Sequence, residues 1–169
     1  MSRISTKRLS KELLDLQSGE CPVGCSLVQA DDLAEWKIKL TGPPDTLYSE
    51  ESFLLRFRFS PQYPIEAPEV VFVVGSSNTP SSSKDKQPDG GQNWAAPQHP
   101  HIYSNGHICA SILSTGWSPV LNCFAICLTI QSMLASCKKK EWPADNDRYV
   151  RTAPISPKNT RWHFHDDTV

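Results

Sequence analysis

The apolar positions of residues 3–17 recur at helical spacing, in one stripe made of Ile4, Leu9, Leu13 and Leu16. Basic residues recur in steps of four on the other side of the same segment, at Arg3, Lys7 and Lys11. This pattern predicts an amphipathic first helix. Gly19 and Pro22 are expected to end it.

Three stretches of residues 36–74 have the pattern of β-strands. Apolar residues alternate with other residues over 36–40 and 53–59, and 70–74 is a continuous apolar run. Together with residues 26–29 they make about four strands. No helical pattern lies between them to act as a parallel crossover, and the turns are rich in proline. We therefore expect a four-stranded antiparallel meander.

A second, central helix is predicted in the C-terminal half. Ser118 can cap it, Pro119 suits its first position, and it should end near Ser136. Its expected buried stripe consists of Leu121, Phe124, Ala125, Leu128 and Leu134 or Ala135. A short C-terminal helix is expected over residues 145–152. Helices added to one antiparallel sheet define an α+β fold.

Two segments differ in composition from the rest of the domain, which we place at residues 1–153. Residues 75–98 are rich in Ser, Pro, Gly and Lys, with Trp94 as the only bulky side chain, and are expected to be a flexible insertion. An inert insertion is favoured over one that gates substrates or binds a partner, because surface loops tolerate length at low entropic cost. Residues 154–169 are expected to be a loosely held C-terminal tail.

The overall charge argues against several classes of function. The 169 residues include 17 Lys and Arg against 18 Asp and Glu, so the chain as a whole has no attraction for nucleic acid or an anionic membrane. The longest apolar stretch, residues 119–130, is too short to cross a bilayer. The N-terminus has no apolar secretory core. We expect a cytoplasmic or nuclear chain whose six cysteines are free thiols.

Histidine and cysteine are concentrated in one aperiodic stretch, at His99, His101, His107 and Cys109. Three kinds of site are compatible with this cluster. A zinc site could recruit Cys123 and Cys127, which are four residues apart, but paired C-x2-C knuckles are missing. A Cys-His hydrolase would need a base within reach and an orienting third group. The third kind is a thiol that carries an acyl group.

A thiol that carries a group needs the least additional chemistry. Cysteine is a good nucleophile and accepts an acyl group by thioester exchange without a strong base. Attack by an amine then needs a neutral amine and stabilisation of the developing oxyanion. His101 or Asn105 could supply a donor for that oxyanion. Alternatively, the histidines only satisfy backbone groups of the loop.

The same stretch resembles the active-site segment of ubiquitin-conjugating enzymes. The family pattern has His-Pro-Asn, Gly-x-Ile-Cys and a Trp-x-Pro eight residues past the cysteine, and its counterparts here are residues 99–101, 106–109 and 117–119. Other strings resemble the family's first helix (KRLSKELLDL), a strand turn (GPPDTLYSEESF) and a proline-containing loop (YPIEAPEVVF). The resemblance covers residues 5–152. It is strongest to the W type, in HPH-x-YSNGHIC and DN-x-x-YVRT.

The resemblance implies a UBC fold and an enzyme that accepts ubiquitin as a thioester on Cys109. ATP would be used by the activating enzyme, so no cofactor and no metal are implied for this chain. The activating enzyme would contact Lys7, Arg8 and Lys11. RING-type or U-box ligases would share with it a surface made of Ile65, Pro119 and Val120. The alternatives are an inactive family variant that serves as a binding scaffold, or a zinc-bound interaction module.

Resemblance to the W type implies transfer to the α-amino group of protein substrates instead of to lysine. An α-amine has a pKa of about 7.7–8.0 and a lysine amine one of about 10.4, so less deprotonation is required of the site. His101 stands where the family pattern has Asn, and a neutral imidazole donates from only one nitrogen. Ala67 replaces a family proline. The candidates for acidic help are Asp145 and Asp147, although Asp145 could instead cap the short helix.

Overall fold

Three helices, a four-stranded sheet and a two-stranded ladder make up the fold in the computed structural model, which describes residues 1–76 and 92–163. The helices are α1 (Arg3–Gln17), α2 (Cys123–Ser136) and α3 (Asn146–Thr152). The strands are β1 (Cys25–Gln29), β2 (Glu35–Thr41), β3 (Ser52–Arg58), β4 (Glu69–Phe72), β5 (Gly75–Ser76) and β6 (Asn93–Trp94). No helix in the described ranges is both long enough and apolar enough to span a membrane.

The large sheet is the antiparallel meander predicted from the strand patterns, with the order β1-β2-β3-β4. Its register places Ile38 opposite Leu55 and Phe57 opposite Val70. All four side chains are buried, because successive residues of a strand point to opposite faces and the apolar set points inward. The hydrophobic core is formed by this face, α2, Leu9 and Leu16 of α1, and Ile102 and Ile108. The α+β prediction is confirmed.

Helix α1 spans the predicted residues, but its buried face differs at the N-terminal end. The Ser5 N–H donates to the Oγ of the N-cap Ser2 at 3.1 Å. Ile4, expected on the buried stripe, is 74% exposed. The buried positions are Ser5, Leu9, Glu12 and Leu16. These residues are three or four positions apart and therefore lie on one face of the helix. The buried face thus includes Ser5 and Glu12, and it does not include Ile4.

The start of α2 also differs from the prediction. Residues 118–121 form a turn in which the Leu121 N–H donates to the Ser118 carbonyl at 2.9 Å. The helix begins at Cys123, and the Ala125 N–H donates to Oδ1 of the N-cap Asn122 at 2.9 Å. Asparagine is as good an N-cap as serine, and the predicted start at Ser118 is therefore wrong by four residues. The predicted end at Ser136 matches the structure.

Of the predicted buried stripe of α2 only Leu134 is buried: Leu121 lies before the helix and, like Ala125, is half-buried. Phe124 and Leu128 are 40% and 48% exposed. The buried residues are Cys123, Ile126, Cys127, Ile130 and Leu134. Buried thiols pack as small apolar groups, and α2 is apolar on more than one side. Periodicity therefore did not determine which side faces the sheet.

The two ends of the expected insertion pair with each other. Strand β5 is antiparallel to β6, with Gly75 opposite Trp94, and the Trp94 side chain is buried. The Tyr48 hydroxyl donates to the Gln98 carbonyl at 2.6 Å. Residues 77–91, on which the expectations of flexibility and gating mainly bear, lie outside the described residues.

The chain after α3 is packed on the domain as far as it is described. Pro157 is buried. The Ser156 hydroxyl donates to the Glu69 carboxylate, and Nζ of Lys158 donates to the Ala67 carbonyl. Residues 156–158 are therefore attached to the domain at β4 and just before it, while Ile155 beside them is 97% exposed. Residues 164–169 lie outside the described residues.

Candidate active site

The irregular segment 99–109 is built from three isolated bridges. His99 pairs with Ile102, Ile102 with Ile108, and Val71 of β4 with His107. Ile102 and Ile108 are buried in the core. The segment is thus anchored in the core by one isoleucine on each side of a tight turn. These anchors hold its backbone in place, although its sequence has neither a helical nor a strand repeat.

The tight turn between the two isoleucines depends on glycine. The Gly106 N–H donates to the Tyr103 carbonyl, and the Tyr103 N–H donates to the His107 carbonyl, both at 2.9 Å. Gly106 has φ +93°, a conformation that L side chains rarely adopt. A Cβ at this position would also lie 2.0 Å from the Phe72 carbonyl oxygen. The turn and the cysteine three residues later therefore require glycine here.

Cys109 is half-exposed between two buried neighbours, Ile108 and Ala110. Its N–H donates to the His101 carbonyl at 2.9 Å, so the backbone holds the cysteine beside His101. Its Sγ lies 3.9 Å from the His163 carbonyl oxygen. The thiol is thus presented to one side of a fixed segment, where a large acyl donor could reach it.

The thiol opens onto a cleft of about 420 Å³ that is lined by three segments of the chain. The first contains Cys109 together with residues 100–103. The second is the region around the start of α3, residues 143–149. The third is the chain from Thr160 to His163. A site formed by three distant segments cannot be located from local sequence patterns alone.

Stacked aromatic rings form one wall of this cleft. The Tyr103 and Tyr149 rings stack with centroids 3.9 Å apart, and Trp162 lies 5.6 Å from Tyr149. The Tyr103 hydroxyl donates to Oδ1 of Asp145 at 3.0 Å. Burial, followed by the hydrogen bond with Asp145, raises the pKa of Tyr103, and burial raises that of Tyr149. Both phenols therefore remain donors at neutral pH.

His107 connects this wall to the chain that follows α3. Its Nδ1 lies 2.8 Å from the Tyr149 hydroxyl, which in turn lies 2.9 Å from Oγ1 of Thr160. A further hydrogen bond joins the ring to the backbone of Ile155. Burial lowers the pKa of His107. The neutral imidazole thus holds α3 and residues 155–160 against the cleft.

His99 is a structural histidine with a defined tautomer. The His101 N–H donates to its Nδ1 at 2.9 Å, so the ring proton must be on Nε2, which donates to the Met133 carbonyl at 3.0 Å. Burial lowers the pKa of His99 to about 4. Both ring nitrogens of His99 thus have backbone partners. This is the structural role that the sequence analysis gave as the alternative to a catalytic one.

The folded protein should lose stability as the pH falls from about 6.5 to about 4. His99 stays neutral in the fold but takes up a proton in the unfolded chain near pH 6.5, so its contribution is present above that pH and disappears towards pH 4. The full difference is on the order of 3 kcal/mol. Urea unfolding across this range should show the loss, and His99→Asn should flatten it. A His99 imidazole signal that titrates near pH 6.5 would contradict the assignment.

The site residues expected from the sequence divide into two groups. His101 and Asp145 line the cleft with Cys109, whereas Asn105 and Asp147 are not among its lining residues. Oδ1 of Asn105 instead accepts the His107 N–H at 3.1 Å and stabilises the turn. Asp145 occupies the N-cap position of α3, but its side chain makes no capping hydrogen bond. The capping alternative is therefore wrong for its side chain.

Three aromatic residues, Tyr103, Tyr149 and Trp162, are among the lining residues that were not singled out individually from the sequence. The only feature of the sequence that could have indicated them is that each of three separated segments contains an aromatic residue. Asn146 was also missed. It is buried, its Oδ1 accepts the Ser104 N–H at 2.9 Å, and its Nδ2 donates to Oγ of Ser104 at 3.1 Å. It therefore ties the start of α3 to the turn before Cys109.

No group of three or more His, Cys, Asp and Glu side chains within residues 1–76 and 92–163 has an arrangement that could hold a metal ion. Cys123 and Cys127, the cysteines considered for zinc, are buried against the core. None of the six cysteines, all of which lie within residues 1–76 and 92–163, forms a disulfide bond.

Comparison with known proteins identifies the family of this fold and site. Residues 8–160 match the ubiquitin-conjugating enzyme family.

The chain belongs to the ubiquitin-conjugating enzyme family.

Among its relatives, "Ubiquitin-conjugating enzyme E2 W" of Caenorhabditis elegans is 46% identical over the full length of both chains. "Ubiquitin-conjugating enzyme 15" of Arabidopsis thaliana is 45% identical and covers 100% of this chain and 93% of that protein. The crystal structure of ubiquitin-conjugating enzyme E2 UbcA1 from Agrocybe aegerita is 51% identical, with a TM-score of 0.79 over 92% of this chain and 99% of that one.

The residues expected to meet partners of this ubiquitin-conjugating enzyme lie in two places. Ile65 and Val120 are 74% and 82% exposed, and Pro119 is exposed next to Val120. Lys7 and Lys11 are exposed on α1. Arg8 between them is different, because its guanidinium already donates within the protein: Nη1 to the Pro119 carbonyl at 3.0 Å, Nη2 to that of Leu121 at 2.7 Å and Nε to Glu12 at 2.6 Å.

Proposed function

We propose that this enzyme accepts ubiquitin as a thioester on Cys109 from an activating enzyme and then transfers it to an amine. The observation that carries the proposal is the half-exposed thiol held between two buried neighbours at the mouth of the cleft. The family membership supports it. ATP is assigned to the activating enzyme, and no cofactor is proposed for this chain.

The two steps exchange one acyl bond. In the first, Cys109 sulfur attacks the carbonyl carbon of ubiquitin's C-terminal glycine in its thioester with the activating enzyme. A new S–C bond forms at Cys109, and the activating enzyme's sulfur leaves and takes up the proton. In the second, a neutral amine attacks the same carbon, an amide forms, and the Cys109 thiol is released with a proton from the amine. Neither step needs a redox partner.

Stabilisation of the oxyanion in both steps falls to side chains. The Cys109 N–H is occupied by the His101 carbonyl, and the Asn105 side chain does not line the cleft. His101 lines the cleft beside the thiol, so we assign the donor role to its imidazole. This assignment replaces the amide of the family pattern with a ring that donates from one nitrogen when neutral.

The proposed amine is the α-amino group of a protein substrate. The similarity to proteins named E2 W supports this choice. The chemistry agrees, because an α-amine has a pKa roughly two units below that of lysine and loses its proton with less help. Help from the cleft is limited: Oδ1 of Asp145 already accepts from Tyr103, and Oδ2 lies 3.7 Å from Nη2 of Arg148.

The proposed partners follow from the exposed residues. Lys7 and Lys11 are assigned to the activating enzyme because they leave a basic edge on α1. The exposed apolar patch of Ile65, Pro119 and Val120 is assigned to RING-type or U-box ligases and to the activating enzyme. A cytoplasmic and nuclear location is proposed for the enzyme.

Transfer can be tested on the charged enzyme alone. The chain is charged with ubiquitin, ATP is removed, and two peptides are added in equal amounts: one with a free N-terminus and no lysine, the other N-acetylated with a single lysine. We expect discharge onto the first to be at least about tenfold faster at pH 7.5, because more of its amine is neutral. Equal rates would remove the α-amine proposal. A chain that is never charged would instead be a binding scaffold.

A further inference from the structure

One carboxylate of α1 is buried and has hydrogen-bond donors from three parts of the chain. The Glu12 side chain is only 7% exposed. Its Oε1 accepts from Nε of Arg8 and from the Tyr63 hydroxyl, both at 2.6 Å, and its Oε2 accepts from the Cys123 N–H at 3.1 Å. Glu12 thus joins α1, the loop after β3 and the first residue of α2.

The donors around Glu12 remain in the protonation states that these bonds require. Burial, together with the nearby Cys123 and Glu12 groups, raises the pKa of Tyr63 well above its ordinary range, so the phenol keeps its proton. Burial lowers the pKa of Arg8, but the hydrogen bond and the charge of Glu12 raise it more, and the net change is upward. The network is therefore intact at neutral pH.

Two exposed loops are attached to this buried group. Tyr63 is two residues before Ile65 in the first loop, and Cys123 follows the second, which carries Pro119 and Val120. Arg8 extends the attachment, since its two terminal nitrogens donate to carbonyls of the second loop.

A direct bond also joins the loops. Nε1 of Trp117 donates to the Pro64 carbonyl at 2.9 Å, and the Tyr63 and Trp117 rings are 5.9 Å apart. Together with the carboxylate these contacts fix the spacing of the two loops.

We propose that Glu12 is a positioning residue that sets the two loops in register, so that Ile65, Pro119 and Val120 form a single docking surface. The inference rests on the proposed function, because that function assigns the surface to the activating enzyme and the ligases. Glu12 is not among the residues that line the cleft with Cys109. Its role is therefore in docking, and the reaction at Cys109 does not involve it.

The proposal also reassigns Arg8. Three of its five N–H groups donate to Glu12 and to two loop carbonyls. It therefore acts with Glu12 to hold the second loop, while Lys7 and Lys11 remain as the exposed basic residues.

The test compares Glu12→Gln with the matched core variant Ile130→Val. Glutamine has nearly the same shape as glutamate, but an NH2 group replaces one of the two acceptor oxygens. Because this NH2 group would face a hydrogen-bond donor, at least one bond of the network is lost. Charging by the activating enzyme is measured as a function of the concentration of this chain. We expect Glu12→Gln to raise KM about tenfold with kcat within twofold of wild type, and to leave discharge of the charged enzyme onto a free amine unchanged.

The control separates positioning from general stability. Ile130 is fully buried and lies about two helical turns after Cys123 in α2, so we expect Ile130→Val to lower Tm without moving the surface. Its KM should equal that of wild type, whereas Ile65→Ala should reproduce the raised KM. An unchanged KM in Glu12→Gln, or an equal rise in an Ile130→Val protein of similar Tm, overturns the proposal.

Failure of the proposed function would give a different result. If the wild-type chain is not charged at all, the function fails, and the positioning role is then judged by methyl NMR of Ile65 and Val120. Glu12→Gln should shift both methyl signals, since both loops lose their common anchor. A shift in neither of them contradicts the inference.

Discussion

Replacing Cys109 with serine should convert a reducible ubiquitin adduct into one that survives reduction. The serine hydroxyl occupies the same fixed position between Ile108 and Ala110, but it forms an oxygen ester, which thiols do not cleave. Cys109→Ala should form no adduct, because the thiol that accepts ubiquitin is missing. Incubation with activating enzyme, ATP and ubiquitin, followed by gel electrophoresis with and without reductant, distinguishes these outcomes.

A matched thiol elsewhere provides the control. Cys21 is also half-exposed, but burial raises its pKa and makes it less reactive. Cys21→Ser should retain the reducible adduct at the wild-type rate. If Cys109→Ala still formed the adduct, or if Cys21→Ser lost it, the assignment of the acceptor would be wrong.

Gly106→Ala should be among the most destabilising single substitutions in the chain. The alanine must adopt φ near +93° and place a methyl group 2.0 Å from the Phe72 carbonyl oxygen. Backbone strain and steric overlap together should lower the free energy of unfolding by about 3 kcal/mol or more. The turn before Cys109 must also shift, so charging with ubiquitin should fall even in the molecules that remain folded.

A second glycine separates the two causes. Gly19 has φ +96°, and a Cβ there would have no atom within 4 Å. Gly19→Ala should therefore cost only the strain, about 1–2 kcal/mol, and should leave charging unchanged. Urea unfolding of both variants measures the difference. Equal losses would show that the Phe72 contact is not responsible.

The periodicity of apolar residues was sufficient to predict an element and its buried side where only one face of that element contacts the core. The alternation in residues 36–40 and 53–59 fixed the strands of the meander, since a strand with one buried face has a two-residue repeat. It was insufficient for α2, which is apolar on several sides and whose buried face includes two thiols. At Glu12 it failed for another reason: a buried carboxylate is satisfied by partners far away in sequence, and no local pattern indicates them.

The reactive cysteine could be located from the sequence, but its surroundings could not. The string around Cys109 is contiguous and is read directly, whereas the cleft also needs residues 143–149 and 160–163. The stacking of Tyr103 on Tyr149 and the position of Trp162 arise from the packing of three segments. Asn105 was predicted to be a site residue because it is close to Cys109 in sequence. Its side chain instead stabilises the turn and does not line the cleft.

The position of the ubiquitin adduct can be determined on the unmodified chain, which has six cysteines. The protein is charged, digested at mildly acidic pH without reductant, and mapped by mass spectrometry. We expect one ubiquitin remnant, on the peptide that contains Cys109, and we expect dithiothreitol to remove it. A remnant on any other cysteine, or no increase in mass in the presence of activating enzyme and ATP, would contradict this expectation.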